Sequence, residues 1–434
     1  MDARELKFLE MEKDVNARGG DGAAVVEAYR ELYDFHEIGL CTWLAKLFDP
    51  DIGGFYYSNS GRDNEWVEWD GKRVYTLPDM ESTHQAISLM KSSGMIENYS
   101  DIPDWMRNKI KNFTCSLMSE EDGYIYHPQW GKDIGNARLG RDLIAAVGTA
   151  DVLKFDLPYP TATERIKAAA AAAAAAKTEN KPAENLAPSL PDHLKSREAF
   201  VKYLENLPWE EPVGLAAYGA GNALASQASL INAAGLSDVM CDFLDSIQHE
   251  DGLWGTQRGY AAINAFFKIG VAYGSARRVI PNVEKVAYSG MDIMVADELN
   301  RTVCYQFNAW WTMMICLGNL KSYGGEEGEK ATARVKAEML RRAPECIRAT
   351  TRKIRPFKCE DGSYSYFYDT TCPTSQGAIV AQMIKEGDIN ASTINSQGVL
   401  NRSLDALGLS KFAPKIYGKE GYEAFFGAIR KPTK

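Results

Sequence analysis

Phe243-Leu244-Asp245-Ser246-Ile247-Gln248-His249-Glu250-Asp251-Gly252-Leu253-Trp254-Gly255 runs a helix-like apolar stretch into an Asp-Gly turn and sets down a Trp. A second helical run, RGYAAINAFFKIG, follows at once over 258–270. The same order recurs in LFDPDIGGFYY (47–57), SLMSEEDGYIYHPQWG (116–131) and KCEDGSYSYFYD (358–369). A chain that repeats helix, acidic-Gly turn, aromatic, helix is most simply a ring of helix pairs. Such a ring gathers its turns at one mouth.

Outward from these turns, apolar residues recur at three- and four-residue spacing over 24–47, 81–95, 103–119, 136–155, 219–234, 237–248, 258–274, 282–296, 302–321, 328–350, 374–386 and 390–408, which predicts about a dozen helices. Strand-like alternation is confined to Gly54–Tyr57, Tyr124–His127 and Tyr364–Tyr368, beside the turns. The turn glycines at 54, 123, 252 and 362 are 69, 129 and 110 residues apart. At roughly 55–65 residues per helix pair with its loop, the spacing fits six or seven pairs. The expectation is therefore all-α, an (α/α)6-7 toroid spanning 1–434 as one domain, with short β-hairpins in the loops at one face. Nine alanines (168–176) between Pro- and charge-rich flanks have no amphipathic face to bury, so about 158–191 reads as a disordered or extended linker.

Composition narrows the function classes. The chain is 45% hydrophobic and 11% aromatic, with 21 Tyr and 9 Trp, which suits a concave surface lined with flat faces. A formal charge of −9 argues against a nucleic-acid partner, which needs a basic stripe. Eight cysteines without a CxxC read as thiols of a reducing compartment. No apolar run reaches the ~18 residues of a membrane helix. The charged start MDARELKFLEMEKD carries no signal-peptide core, so the expected setting is cytoplasmic, away from membranes. No motif calls for a cofactor or a metal.

The residues opening each inner helix carry the functional reading. His84, Tyr260, Asn264, Tyr305 and Asn308 lie past the capping positions, where a cap does not explain them. Tyr260 and Asn264 are one turn apart on one face. His84 follows Glu81 by three residues, close enough for the carboxylate to orient the ring. Turn aromatics, among them Tyr126 and Trp254, would form a sugar-stacking mouth. Asp122, Asp251 and Asp361 precede turn glycines and read as turn-holding side chains.

The 243–254 spacing (an aliphatic pair, three residues, Gln, three residues, Gly, one residue, Trp) resembles the repeat motif of terpenoid-cyclase toroids. The Asp-x-Asp-Asp acid motif of those enzymes is absent. NLPWEEPVGLAAYGAGNALA (206–225), QHEDGLWGTQRGYAAINAFFKIG (248–270) and YQFNAWWTMMICLGNL (305–320) resemble toroidal polysaccharide lyases of the alginate and glucuronan type. That resemblance implies a carbohydrate substrate and β-elimination at a uronic acid. Tyr260 or Tyr305 would be base and acid, and His84 a second base or carboxylate neutraliser. Asn264, Asn308, Arg138, Arg258, Trp254, Tyr126 and Gln376 would hold substrate. The alternatives are a glycoside hydrolase working through Glu81 and Asp142, or a non-catalytic glycan-binding toroid.

Overall fold

The computed structural model describes residues 3–165, 168 and 191–432, so most of the expected 158–191 linker lies outside the described residues. The chain is mostly helical, with seventeen α-helices among the described residues. Three antiparallel two-stranded hairpins accompany them: Phe48–Asp49 with Gly54–Phe55, Val67–Trp69 with Lys72–Val74, and Thr374–Ser375 with Ala378–Ile379. No described helix is long and apolar enough to cross a membrane.

The 3.6-residue pattern locates most helices to within a few residues, and its failures have local causes. The 24–47 run is two helices, Gly22–Asp34 and Gly39–Leu47. Asp21 caps the first through the Ala24 N–H. The 390–408 run is Ile389–Thr393, one π turn over Ile394–Gly398, then Val399–Leu407. The helix expected over 374–386 is absent. Gln376 and Gly377 both take positive φ (51° and 91°) and reverse the chain into the third hairpin, as a two-residue turn ending in Gly does. The pattern also passes over Ala3–Ala17, Arg197–Glu205 and Lys419–Ala428. The first of these buries only Phe8, Met11 and Val15, too thin a stripe to stand out among its charges.

The chain's contacts group it into two compact units, a division the sequence reading did not draw. The first unit comprises Met1–Phe35, Ser189–Arg355 and Gly398–Pro414. In it, the helices Ala216–Ala233, Tyr260–Ala276, Cys304–Tyr323 and Val399–Leu407 pack side by side in that order. The second unit comprises His36–Pro188, Pro356–Gln397 and Lys415–Lys434. There Met80–Ser92 packs between Asn136–Leu153 and Ile389–Thr393. A core of Trp43, Leu44, Phe48, Phe55, Met90 and Phe425 lies within the same unit.

The acidic-Gly turns share one hydrogen-bonding scheme. The Asp122, Asp251 and Asp361 carboxylates accept the N–H of Tyr124 (3.1 Å), Leu253 (3.0 Å) and Ser363 (3.1 Å). The intervening Gly123, Gly252 and Gly362 sit at φ of 75° to 85°. These aspartates hold turns, as their positions suggest. In the first turn the left-handed residue is Gly53 (φ 97°) and not Gly54. Gln248 then ties its turn to the next helix start: its amide donates to Gly252 O (2.9 Å) and Pro281 O (2.8 Å).

A second repeat lies in the second unit. Phe55 O accepts the Asp79 N–H (3.1 Å), and Thr83 Oγ1 accepts the Phe55 N–H (2.9 Å). Tyr364 O accepts the Asp388 N–H (3.0 Å), and Ser392 Oγ accepts the Tyr364 N–H (3.0 Å). Each aromatic is 24 residues ahead of its aspartate, and each aspartate caps its helix by accepting from the third residue on, Ser82 N or Ala391 N. The sequences DMEST (79–83) and DINAS (388–392) are the trace of this latch.

Candidate functional site

The sequence-selected residues fall into two groups. Tyr260, Tyr305, Asn264, Asn308, Arg258 and Trp254 belong to the first unit, and His84, Arg138, Tyr126 and Gln376 to the second.

In the first unit, Tyr260 opens its helix directly after Gly259, whose φ of 64° turns the chain into it. The Glu298 carboxylate accepts the Tyr260 N–H (3.3 Å), meeting one of the unpaired donors of a helix start. Tyr260 and Tyr305 stack at 4.7 Å with an interplanar angle of 19°. Tyr260 is wholly buried and Tyr305 half-buried. Lys353, in the last turn of Gly325–Ile354, brings Nζ to 3.4 Å from the Tyr260 hydroxyl and 5.0 Å from its ring centroid. Burial, with Arg352 acting in the same direction, pushes the Lys353 ammonium down to about 8. One turn deeper, Asn308 Nδ2 donates to Asn264 Oδ1 (3.1 Å). An unpaired buried amide would cost about 1–3 kcal/mol, and this pairing meets part of that demand while both side chains stay partly exposed.

In the second unit, Arg138 is fully buried and central. Its Nη2 is 2.6 Å from Asp79 Oδ1, its Nε 3.1 Å from Asp142 Oδ2, and its Nη1 3.2 Å from Glu81 Oε2 and 3.4 Å from Ser375 O. The guanidinium lies over Trp130 at 4.7 Å, and Trp130 stacks on His127 at 4.0 Å. One cation thus faces three carboxylates. Burial pushes Asp142 up to about 7 against the pull of Arg138, with Asp79 and Glu81 adding repulsion. Expected to clamp substrate, Arg138 is instead the hub of a closed ion network. Glu81 and Asp142, the hydrolase pair, are both buried and both held on that guanidinium.

His84 is oriented by a residue other than the one its spacing suggests. Its Nδ1 meets Thr149 Oγ1 at 3.1 Å, and the ring packs on Gly148, where a Cβ would come within 2.6 Å of it. Glu81 is engaged by Arg138, Arg141 (3.5 Å) and Ser375 Oγ (2.9 Å). Burial lowers the His84 pKa and favours the neutral ring.

Trp254, chosen as a sugar platform, is completely buried, with its indole N–H on Leu244 O (2.8 Å) and its ring against Phe266 and Tyr273. Large aromatics fill cores as readily as they line mouths, and here the core wins. Arg258 is exposed and folds back on Gly255 O (2.7 Å). Tyr126 is half-buried and donates its hydroxyl to Asp122 Oδ2 (2.6 Å), which together with burial raises its pKa to about 12. Gln376 is exposed at the tip of the third hairpin, next to the Ser375 that touches the Arg138 hub. His127 is buried, accepting the Gln129 N–H at Nδ1 (3.2 Å) and donating from Nε2 to Pro78 O (2.8 Å).

Lys353 and Glu298 escaped the sequence reading. Lys353 lies in the middle of a basic stretch, RATTRKIRPFK (348–358), that looks solvent-facing. Its signal is positional: it continues the buried stripe through Cys346, Ala349 and Thr350 at helical spacing. A hollow of about 470 Å³ in the first unit, lined in part by Arg18, Lys321, Lys336 and Asp405, includes none of the sequence-selected residues. No protein-family model, no curated protein and no solved structure matches the chain.

Proposed function

We propose that the chain is a carbohydrate-active enzyme that cleaves a uronic-acid-containing glycan by β-elimination, in the first unit, at the cluster of Tyr260, Tyr305, Lys353, Asn264 and Asn308. One observation carries this reading: two stacked phenols, a lysine and an amide pair meet at the starts of two neighbouring helices. Helix N-termini add positive potential there, suited to a carboxylate. Tyr305, the more exposed phenol, takes the substrate-facing role. Burial raises the pKa of the Tyr305 phenol while Arg301 pulls it down. Once deprotonated, its oxygen removes the proton α to the uronate carboxylate, while Asn264 and Asn308 hydrogen-bond that carboxylate as negative charge builds on it. The carbanion electrons then form the carbon–carbon double bond, the glycosidic carbon–oxygen bond breaks, and the phenol returns its proton to the leaving oxygen. Tyr260 and Lys353 lie behind, where the ammonium supports negative charge on the phenol stack. The six- or seven-pair toroid belongs to the same proposal, supported by the side-by-side helices and repeated turns within each unit.

Incubation with alginate, glucuronan and polygalacturonate tests the reading through the ultraviolet absorbance of the new conjugated double bond. Wild type develops that absorbance, and Tyr305→Phe loses at least about 100-fold in rate, the usual scale of a proton-transfer group. Reducing ends without absorbance would establish hydrolysis instead. Retention on the polymer with neither product would establish a binder.

A further inference from the structure

We infer that the first unit carries a recognition row for an acidic sugar chain, built from alternating rings and cations across its four side-by-side helices. The row begins at Tyr218 on Ala216–Ala233, over which Lys268 Nζ lies at 5.6 Å. The same ammonium is 5.2 Å from the Phe267 ring. Phe267 meets Trp311 at 4.9 Å, and the Arg402 guanidinium, on Val399–Leu407, covers Trp311 at 4.2 Å and Phe307 at 5.7 Å. These six side chains come from four helices, and all but the nearly covered Phe267 are half-buried.

Chemistry selects the occupant. Ring faces suit the C–H faces of pyranoses, and a guanidinium lying over an indole has N–H donors to offer a carboxylate. Arg402 Nη1 donates weakly to Met314 Sδ (3.9 Å) and lies 3.9 Å from Asp405 Oδ2, too far for a hydrogen bond to that carboxylate. Two cations fixed on rings in a chain of net charge −9 mark a local site for negative charge. Lys268 is two turns beyond Tyr260 and one beyond Asn264 on the same helix, so the row continues the cluster proposed for elimination. The inference rests on that reading for its sugar, while binding by the row does not require catalysis.

Affinity electrophoresis and calorimetry with polygalacturonate and with neutral dextran test it. Wild type binds polygalacturonate with a salt-dependent affinity and ignores dextran. Lys268→Met and Arg402→Gln each weaken binding at least ten-fold, and Arg402→Lys, which keeps the charge but loses the planar N–H edge, falls between wild type and Arg402→Gln. Equal binding of dextran, absence of polyuronate binding, or unchanged affinity in both charge-removing variants overturns the inference. Weakened binding without any unsaturated product leaves the row standing and removes the lyase reading. Unsaturated product formed with unchanged KM in both variants does the reverse.

Discussion

Lys353 Nζ lies 3.4 Å from the Tyr260 hydroxyl, joining residues 93 positions apart in the chain. The lysine ordinarily titrates at 10.5 and is pushed down to about 8. Between those values the unfolded chain holds a proton that the folded chain has released, so stability rises with pH through the window. Below the window the penalty for the buried ammonium is full and constant. Lys353→Met should therefore gain on wild type at pH 7, with the difference closing toward pH 10.5. Urea midpoints at several pH values check this, and a gap independent of pH would refute it.

Asp142 titrates the other way. Its carboxyl is raised from 3.8 to about 7, so between those values the folded chain holds the extra proton and stability falls as pH rises. Asp142→Asn should flatten that slope. Arg138→Met should cost about 3–5 kcal/mol, because it strands buried carboxylates without their cation. Thermal melts from pH 4 to pH 8 measure both effects.

Turn glycines differ in what surrounds them. At Gly362 (φ 84°) a Cβ would meet the Leu40 backbone N at 2.7 Å, whereas at Gly131 (φ 59°) nothing lies within 4 Å. Gly131→Ala should cost only the left-handed backbone term, about 1–2 kcal/mol. Gly362→Ala adds a clash with backbone that cannot move aside, so its loss should be clearly larger in the same denaturation assay.

The paired latches make a matched prediction. Thr83→Val and Ser392→Ala each remove the acceptor for a buried aromatic N–H, at Phe55 and Tyr364 respectively. Each should cost about 1–3 kcal/mol. Hydrogen exchange should quicken at Phe55 in the first variant and at Tyr364 in the second; exchange unchanged at both amides would show that the hydroxyls are not the acceptors.

Helix positions were legible because burial on one face imposes a period that survives in the residues themselves, as from Tyr260 to Ala276. The acidic-Gly turns were legible for a similar reason, since Asp and Gly are demanded locally by the backbone. The third hairpin was misread because apolar residues at Ala378, Ile379 and Val380 suit a strand as well as a helix, leaving Gln376-Gly377 as the only cue. Partner identity was not legible. Arg138 resembled an exposed clamp because nothing near it in sequence announces Asp79 and Glu81, 59 and 57 residues away. His84 was matched to the acid on its own helix, while its actual partner, Thr149, is 65 residues on. The DMEST and DINAS echo was visible, but its meaning depends on backbone contacts across 24 residues.

Each compact unit is assembled from three separated stretches of chain, the second from His36–Pro188, Pro356–Gln397 and Lys415–Lys434. A chain emerging at ~5–20 residues per second meets that interleaving as a delay. The Phe55 latch can close early, but its counterpart at Tyr364 must await some three hundred further residues, and Phe425 of the second unit's core comes later still. The first unit therefore waits for Gly398–Pro414 and the second for Lys415–Lys434, and until those stretches arrive the growing chain keeps apolar surface uncovered. Splitting the gene at any single point would sever at least one unit from part of itself, so two separately expressed halves should be recovered folded only when they are made together.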